Sequence, residues 1–98
     1  MLFAVMCTDK LGCFETRMAV RPEHLVYLKK YESHIKICGP LSNHDGKSCG
    51  SLIIIDMENQ SAVEQFAQND PYAKAGVFES VIIRPFRMIG YEGKMLET

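Results

Sequence analysis

Neither sign of charge is in surplus in this 98-residue chain: eleven Lys+Arg stand against twelve Asp+Glu, for a net charge of -1. Such a balance excludes a nucleic-acid module that works through a basic surface, and it excludes polybasic membrane attachment. Long apolar runs are also missing, since none approaches the roughly 18 residues needed to span a bilayer. The apolar start MLFAVMCTDK has no basic residue ahead of its run and is too short for a secretory signal. It is expected to be the first strand of a cytoplasmic protein. There is no GxGxxG, no Walker-type loop, no GxSxG and no aromatic-rich basic strand of the RNA-recognition kind. The three histidines are scattered, with no His/Glu pair at helical spacing, so neither a metal nor another cofactor is expected.

The four cysteines, Cys7, Cys13, Cys38 and Cys49, form no CxxC and have no histidine at metal-ligand spacing. Without a secretory signal an even count says little about disulfides, because the cytosol keeps thiols reduced. Free thiols without a catalytic role are expected. Cys7 and Cys38 sit in apolar runs, where cysteine acts as a small hydrophobe.

What is present is ordinary globular composition, 47% hydrophobic and 23% charged, which fits one domain over residues 1–98. Its core is expected over 1–89, with a loose polar tail over 90–98. Leu2 to Thr8 reads as a buried strand that runs into the loop Asp9-Lys10-Leu11-Gly12. A helical pattern follows from about Phe14 to Ser33, with Pro22 inside it. That proline either ends or kinks the helix, or begins a steadier piece from Pro22 to about Glu32. Ile35 to Leu41 and Gly50 to Met57 read as strands joined by an Asp45-Gly46 turn. Ser61 and Glu64 fit a capping box that opens a helix from Ala62 to about Gln68. Pro71 to Gly76 reads as a short helical turn, and Val77 to Phe86 as the fourth strand.

The order β-α-β-β-α-β predicts an α+β, ferredoxin-like sandwich: a four-stranded antiparallel sheet with two main helices on one face. A half-covered sheet of this kind should alternate apolar and polar residues. Here Leu2 to Cys7, Leu52 to Ile55 and Val81 to Ile83 are apolar on both parities. Two helices cover one face, so a homodimer packed through the other face is expected. Ile53 or Ile54 would meet the partner.

At about 100° per residue, Glu23, Lys29 and Lys30 share the wet arc of the first helix, and Leu25, Tyr27, Leu28 and Tyr31 the opposite one. His24 falls in the middle of the apolar side, and Arg17 and Arg21 join it if the helix continues past Pro22. An inward histidine is either a hydrogen-bonded structural residue or the wall of a pocket. Asp70 precedes Pro71 and suits an N-cap; one oxygen can cap while the other faces a pocket. An aspartate beside a histidine fixes its tautomer and raises its basicity, which suits acid–base chemistry. His34 and His44 fall at a helix junction and a hairpin turn, and are expected at the surface.

Asp9-Lys10, Arg17, Arg21-Pro22-Glu23-His24-Leu25, Tyr27-Leu28, Gly39-Pro40-Leu41, Gly50-Ser51, Asn69-Asp70-Pro71-Tyr72, Ala75-Gly76-Val77-Phe78-Glu79 and Arg84-Pro85-Phe86-Arg87 together resemble the YciI-like (YCII-related) family, from Met1 to about Ile89. The resemblance implies a fold that dimerises through its sheet as a dimeric α+β barrel. It also implies a His and an Asp in a pocket between sheet and helix, proposed in the family as an acid–base centre and matched here by His24 and Asp70. Relatives include a cofactor-free dehydrochlorinase of a chlorinated aromatic ring. This chain departs from the pattern at Cys38, at Cys49 and in the tail Tyr91 to Thr98. The expectation is a small cofactor-independent enzyme, of lyase, isomerase or dehydrohalogenase type, acting on a small organic molecule. His24 would be the acid or base and Asp70 its orienting carboxylate, with Arg17 or Arg21 binding an anionic group and Ser51 and Tyr72 as pocket donors. For each arginine an ion pair with Glu15, Glu79 or the sheet edge is the competing reading. A non-catalytic ligand-binding or regulatory module of the same fold is the alternative for the whole chain.

Overall fold

In the computed structural model, which describes residues 1–96, two outer strands flank a central antiparallel pair. The elements are β1 (Leu2–Asp9), α1 (Phe14–Lys30), β2 (Ile35–Ser42), β3 (Ser48–Asp56), α2 (Gln60–Gln68), α3 (Pro71–Lys74), β4 (Phe78–Pro85), β5 (Gly90–Tyr91) and β6 (Lys94–Met95). The main sheet has the order β2-β3-β1-β4, antiparallel throughout. This is the ferredoxin-like α+β arrangement that the sequence order predicts. No helix among the described residues is long and apolar enough to cross a membrane.

Strand periodicity decides which side chains meet the helices. Phe3, Val5 and Cys7 of β1 and Ile53 and Ile55 of β3 point to one face, where Val63, Phe66 and Ala67 of α2 close over them. Ile53 is thereby a core residue. The other face carries Ala4, Met6, Leu52 and Ile54, together with Ile37 (52% exposed) and Ile82 (47% exposed). No helix among the described residues covers this side. The central pair also explains one glycine: a Cβ on Gly50 would lie 2.5 Å from the Cys7 carbonyl oxygen, so only glycine lets β3 approach β1 there.

Several local expectations are corrected. Helix α1 neither ends nor restarts at Pro22, which lies on its exposed side, where the carbonyl left without a donor can turn to water. Leu25 is 44% exposed and forms a rim rather than core. Helix α2 is capped by Asn59, whose Oδ1 accepts from Ala62 N–H at 2.9 Å, so it begins before the Ser61–Glu64 box. Asparagine caps at least as well as serine and lets the helix start earlier. Cys38 is exposed, because it lies on the edge strand β2 over a space that α1 leaves open. The tail is not loose over its described part: Gly90 pairs with Met95 and Tyr91 with Lys94. Glu92 and Gly93, with φ of 48° and 78°, make the two-residue turn that matches strand twist. The rest of the expected tail, Glu97 and Thr98, lies outside the described residues.

Burial pushes the Cys7 thiol up to about 12, with the Asp70 carboxylate adding and the Arg17 guanidinium opposing. The unfolded thiol ionises near 9, so the folded chain holds this proton more tightly. Its contribution to stability is complete below pH 9 and is lost as pH rises from about 9 to about 12. Iodoacetamide at pH 8 should label Cys38 and Cys49 in the native protein and reach Cys7 only in denaturant. Cys7→Val should flatten the fall in urea stability over that alkaline window.

Candidate active site

Four elements converge at one end of the helix-covered face. The inward parity of β1 that places Phe3, Val5 and Cys7 in the core ends on Asp9, just after a register shift at Thr8. Opposite Cys7 on β3 stands Ser51, which is buried. Arg17 and His24 are the two buried polar residues of α1, two turns apart on the same side. Helix α3 supplies Asp70 as its N-cap and Tyr72 in its first turn.

These residues form two linked pairs. His24 Nδ1 lies 2.8 Å from Asp70 Oδ1. The same oxygen accepts the Tyr72 backbone N–H at 2.9 Å, so capping and histidine contact share one atom rather than dividing between the two oxygens. An ionised carboxylate only accepts, so a neutral ring facing it carries its proton on Nδ1 and leaves Nε2 with its lone pair. The second pair is Arg17 with Asp9, at 2.9 and 3.0 Å to the two carboxylate oxygens. Arg17 also donates to Ser51 Oγ at 2.6 Å. Tyr72 joins the pairs: its ring stacks on His24 at 3.9 Å between centroids and carries the Arg17 guanidinium carbon 4.4 Å from its centre. Burial raises the pKa of the Tyr72 hydroxyl, with Arg17 and Arg21 pulling the other way.

The pairs wall a cavity of about 250 Å³ between α1 and strands β2 and β3. Arg17, Arg21, His24, Ser48, Ser51 and Tyr72 give it polar lining, and Met18, Leu25, Leu28, Pro40 and Ile53 its apolar walls. Among the described residues His24 Nε2 has no partner and no fully enclosed polar side-chain atom lacks one, so Nε2 opens on the cavity. The six residues named from the sequence therefore meet at one place, five as lining and Asp70 behind His24. Arg21 is exposed and makes no ion pair or hydrogen bond among the described residues. Asp9 is the residue that sequence reasoning missed; it, and not Glu15 or Glu79, pairs with Arg17. His34 and His44 are exposed and away from the cavity, His34 resting its Nδ1 against the Asp56 carbonyl. Among the described residues no group of three or more His, Cys, Asp or Glu could hold a metal ion.

Residues 1–87 match the YCII-related domain. The chain belongs to the YCII-related family. Within it, protein YciI of Escherichia coli O6:H1 is 35% identical over 97 residues, which cover 91% of this chain and 99% of that protein. An "uncharacterized protein" of Haemophilus influenzae is 33% identical over the same shares. Among solved structures, the 5-chloro-2-hydroxyhydroquinone dehydrochlorinase of Burkholderia phenoliruptrix AC1100, in complex with 2,5-dihydroxybenzoquinone, matches with a TM-score of 0.84 at 29% identity, over 96% of this chain and 100% of that one. The YCII-related match stops at residue 87, just before the β5–β6 hairpin.

The Arg17–Asp9 pair is almost completely enclosed, with side chains 4% and 6% exposed. Removing one partner leaves the other charge buried and unpaired. Asp9→Ala should therefore cost about 3–5 kcal/mol in urea unfolding, and the double variant Asp9→Leu/Arg17→Met should cost distinctly less than the sum of its parts.

Proposed function

We propose that the chain is a cofactor-independent enzyme that moves a proton on a small organic molecule with an anionic or developing-anionic oxygen. The observation that carries this reading is His24, held by Asp70 through Nδ1 and presenting Nε2 to a cavity. Nε2 takes a proton from the bound molecule, and Asp70 stabilises the imidazolium that forms. The imidazolium then returns the proton to another atom of the substrate, or a leaving group departs with the displaced electron pair. The first outcome is an isomerisation and the second an elimination of the lyase or dehydrohalogenase type. Neither calls for a cofactor. Arg21 offers a free guanidinium to an anionic group, Arg17 stands behind it, and Ser51 and Tyr72 supply hydroxyls. The likeness to a dehydrochlorinase at 29% identity supports a substrate of single-ring size, as does a cavity of about 250 Å³. The free thiols accord with a cytoplasmic location.

The same reading includes a homodimer packed through the uncovered sheet face. Support comes from the exposed Ile37, Leu41 and Ile82 on a side no helix protects. Ile54 is on that side but already enclosed by its own chain, so a charge there would damage the fold as well. Ile82 is the better position. Sedimentation at micromolar concentration should give a dimer, and Ile82→Glu should give a folded monomer. An 11.1 kDa species that does not change with concentration contradicts the dimer.

The chemistry is tested by screening chlorinated hydroquinones, lactones and enol acids with the purified protein. On a confirmed substrate, His24→Ala should lower turnover on the order of 10²–10⁴-fold, the range for a general acid–base residue. Asp70→Asn should also lower it while keeping the α3 cap, since asparagine caps nearly as well. The double variant should lose little more than His24→Ala alone. Full turnover by His24→Ala refutes the assignment, and ligand binding without turnover of any candidate favours a binding module.

A further inference from the structure

The register that sends Ile53 into the core also decides where Cys38 points. Cys38 on β2 pairs with Ile53 on β3, and paired residues of antiparallel strands share a face. The thiol therefore stands on the helix-covered side, where it lines the cavity with His24 and Arg21. It is exposed, because β2 is an edge strand and α1 leaves this space open. Packing of two copies through the other face would leave it within reach. Cys49 is exposed too, but it is not part of the cavity wall. Two features of that wall point to an occupant. His24 is only 6% exposed, and its Nε2 faces the cavity without a partner among the described residues. Two arginines line the space, and no aspartate or glutamate does. Of the two, Arg17 is matched by Asp9, whereas Arg21 is exposed and has no ion pair among the described residues. The cavity thus joins a reachable thiol to a positive charge that no ion pair matches.

We propose that Cys38 is a modification site: it takes up a small, carboxylate-bearing thiol as a mixed disulfide, with the carboxylate at Arg21, and the adduct closes the cavity over His24. Such a site works in the same way whether the cavity turns over a substrate or only binds one. The co-reactant is the disulfide of the small thiol, and the step is an exchange. The Cys38 thiolate attacks one sulfur and forms a new S–S bond. The old S–S bond breaks, and its second sulfur leaves with the electron pair as a thiolate. That thiolate takes up the proton that Cys38 gave to water. Cys38 is oxidised and one half of the disulfide is reduced, so no further oxidant is needed. An excess of the reduced small thiol runs the exchange backwards and reopens the cavity. Guanidinium suits a carboxylate because its planar fork makes two parallel hydrogen bonds to it. In a cavity of about 250 Å³, an arm reaching from Cys38 towards Arg21 stands in the space that His24 Nε2 faces.

Three disulfides of similar size test this: dithiodipropionate, hydroxyethyl disulfide and cystamine, which are anionic, neutral and cationic. The rate of adduct formation at Cys38, relative to Cys49 in the same chain, is read by peptide mass spectrometry after short exposure at low salt. On that ratio dithiodipropionate should exceed cystamine by about 3- to 30-fold, the range for unit charges several Å apart near a protein surface. The neutral reagent should fall between them, and added salt should narrow the spread. Arg21→Gln should remove most of the preference, and Arg21→Glu should reverse it. Closure is read from the imidazole nitrogens by NMR. In the Cys38-modified chain the His24 signals should move, those of His34 and His44 should stay, and dithiothreitol should restore the first spectrum. Cys49→Ala should show the same His24 shift, and Cys38→Ala none with any reagent. No adduct at Cys38, the same charge order at Cys38 and Cys49, or a preference left intact in Arg21→Gln overturns the proposal. So does an adduct at Cys38 that leaves the His24 signals where they were.

Discussion

Helix α1 runs unbroken through Pro22, and the site exists because it does: Arg17, Arg21 and His24 fall at i, i+4 and i+7, on one stripe above the sheet. A proline in a helix interior costs about 3 kcal/mol relative to alanine. Here the helix is anchored on both sides of the defect. One turn before Pro22, Arg17 is clamped to Asp9 on β1, and just after it His24 is bound to Asp70 at the start of α3. A helix that bent at the proline would lose one anchor or the other. Two buried polar contacts thus tie down the helix on both sides of the proline, and the unbroken helix brings both contacts to one face.

The charges in the cavity are divided by the same arrangement. Asp9 neutralises Arg17 and Asp70 faces His24, so each of these four enclosed side chains has a counterpart. Arg21, one turn on, is exposed at the cavity and has no ion-pair partner among the described residues. Tyr72 links the two pairs by stacking on the histidine and lying under the guanidinium, so the His24 ring and the Arg17 guanidinium are held relative to each other. Preorganisation of this sort lowers the reorganisation needed as charge develops.

Much of this was legible in the sequence, for physical reasons. Apolar strands alternating with helical stretches give the element order, and the wheel turns His24 inward. Asp70-Pro71 is a helix-start signal, with the aspartate at the N-cap and the proline in the first turn, which places the carboxylate at the opening of a short helix. What escaped depended on tertiary neighbours. Asp9 begins the segment Asp9-Lys10-Leu11-Gly12 and reads as loop, although it continues the inward parity of Phe3, Val5 and Cys7. That continued parity was the available signal. Pro22 could not be placed because the anchors that keep its helix whole are long-range. Cys38 was misjudged because an apolar run does not reveal that its strand lies at the sheet edge. In the tail, the Glu92-Gly93 turn was hidden by polarity.

The account stands on a single arrangement of one proton: Asp70 keeps His24 as the Nδ1–H tautomer and leaves Nε2 as the base in the cavity. Imidazole nitrogen NMR of the ¹⁵N-histidine-labelled protein, recorded where the ring is neutral, reads this directly. The predicted result is a protonated Nδ1 and an unprotonated Nε2 for His24, with that preference weakened in Asp70→Asn. A His24 ring protonated at Nε2, with Nδ1 bare against the Asp70 carboxyl, would contradict it.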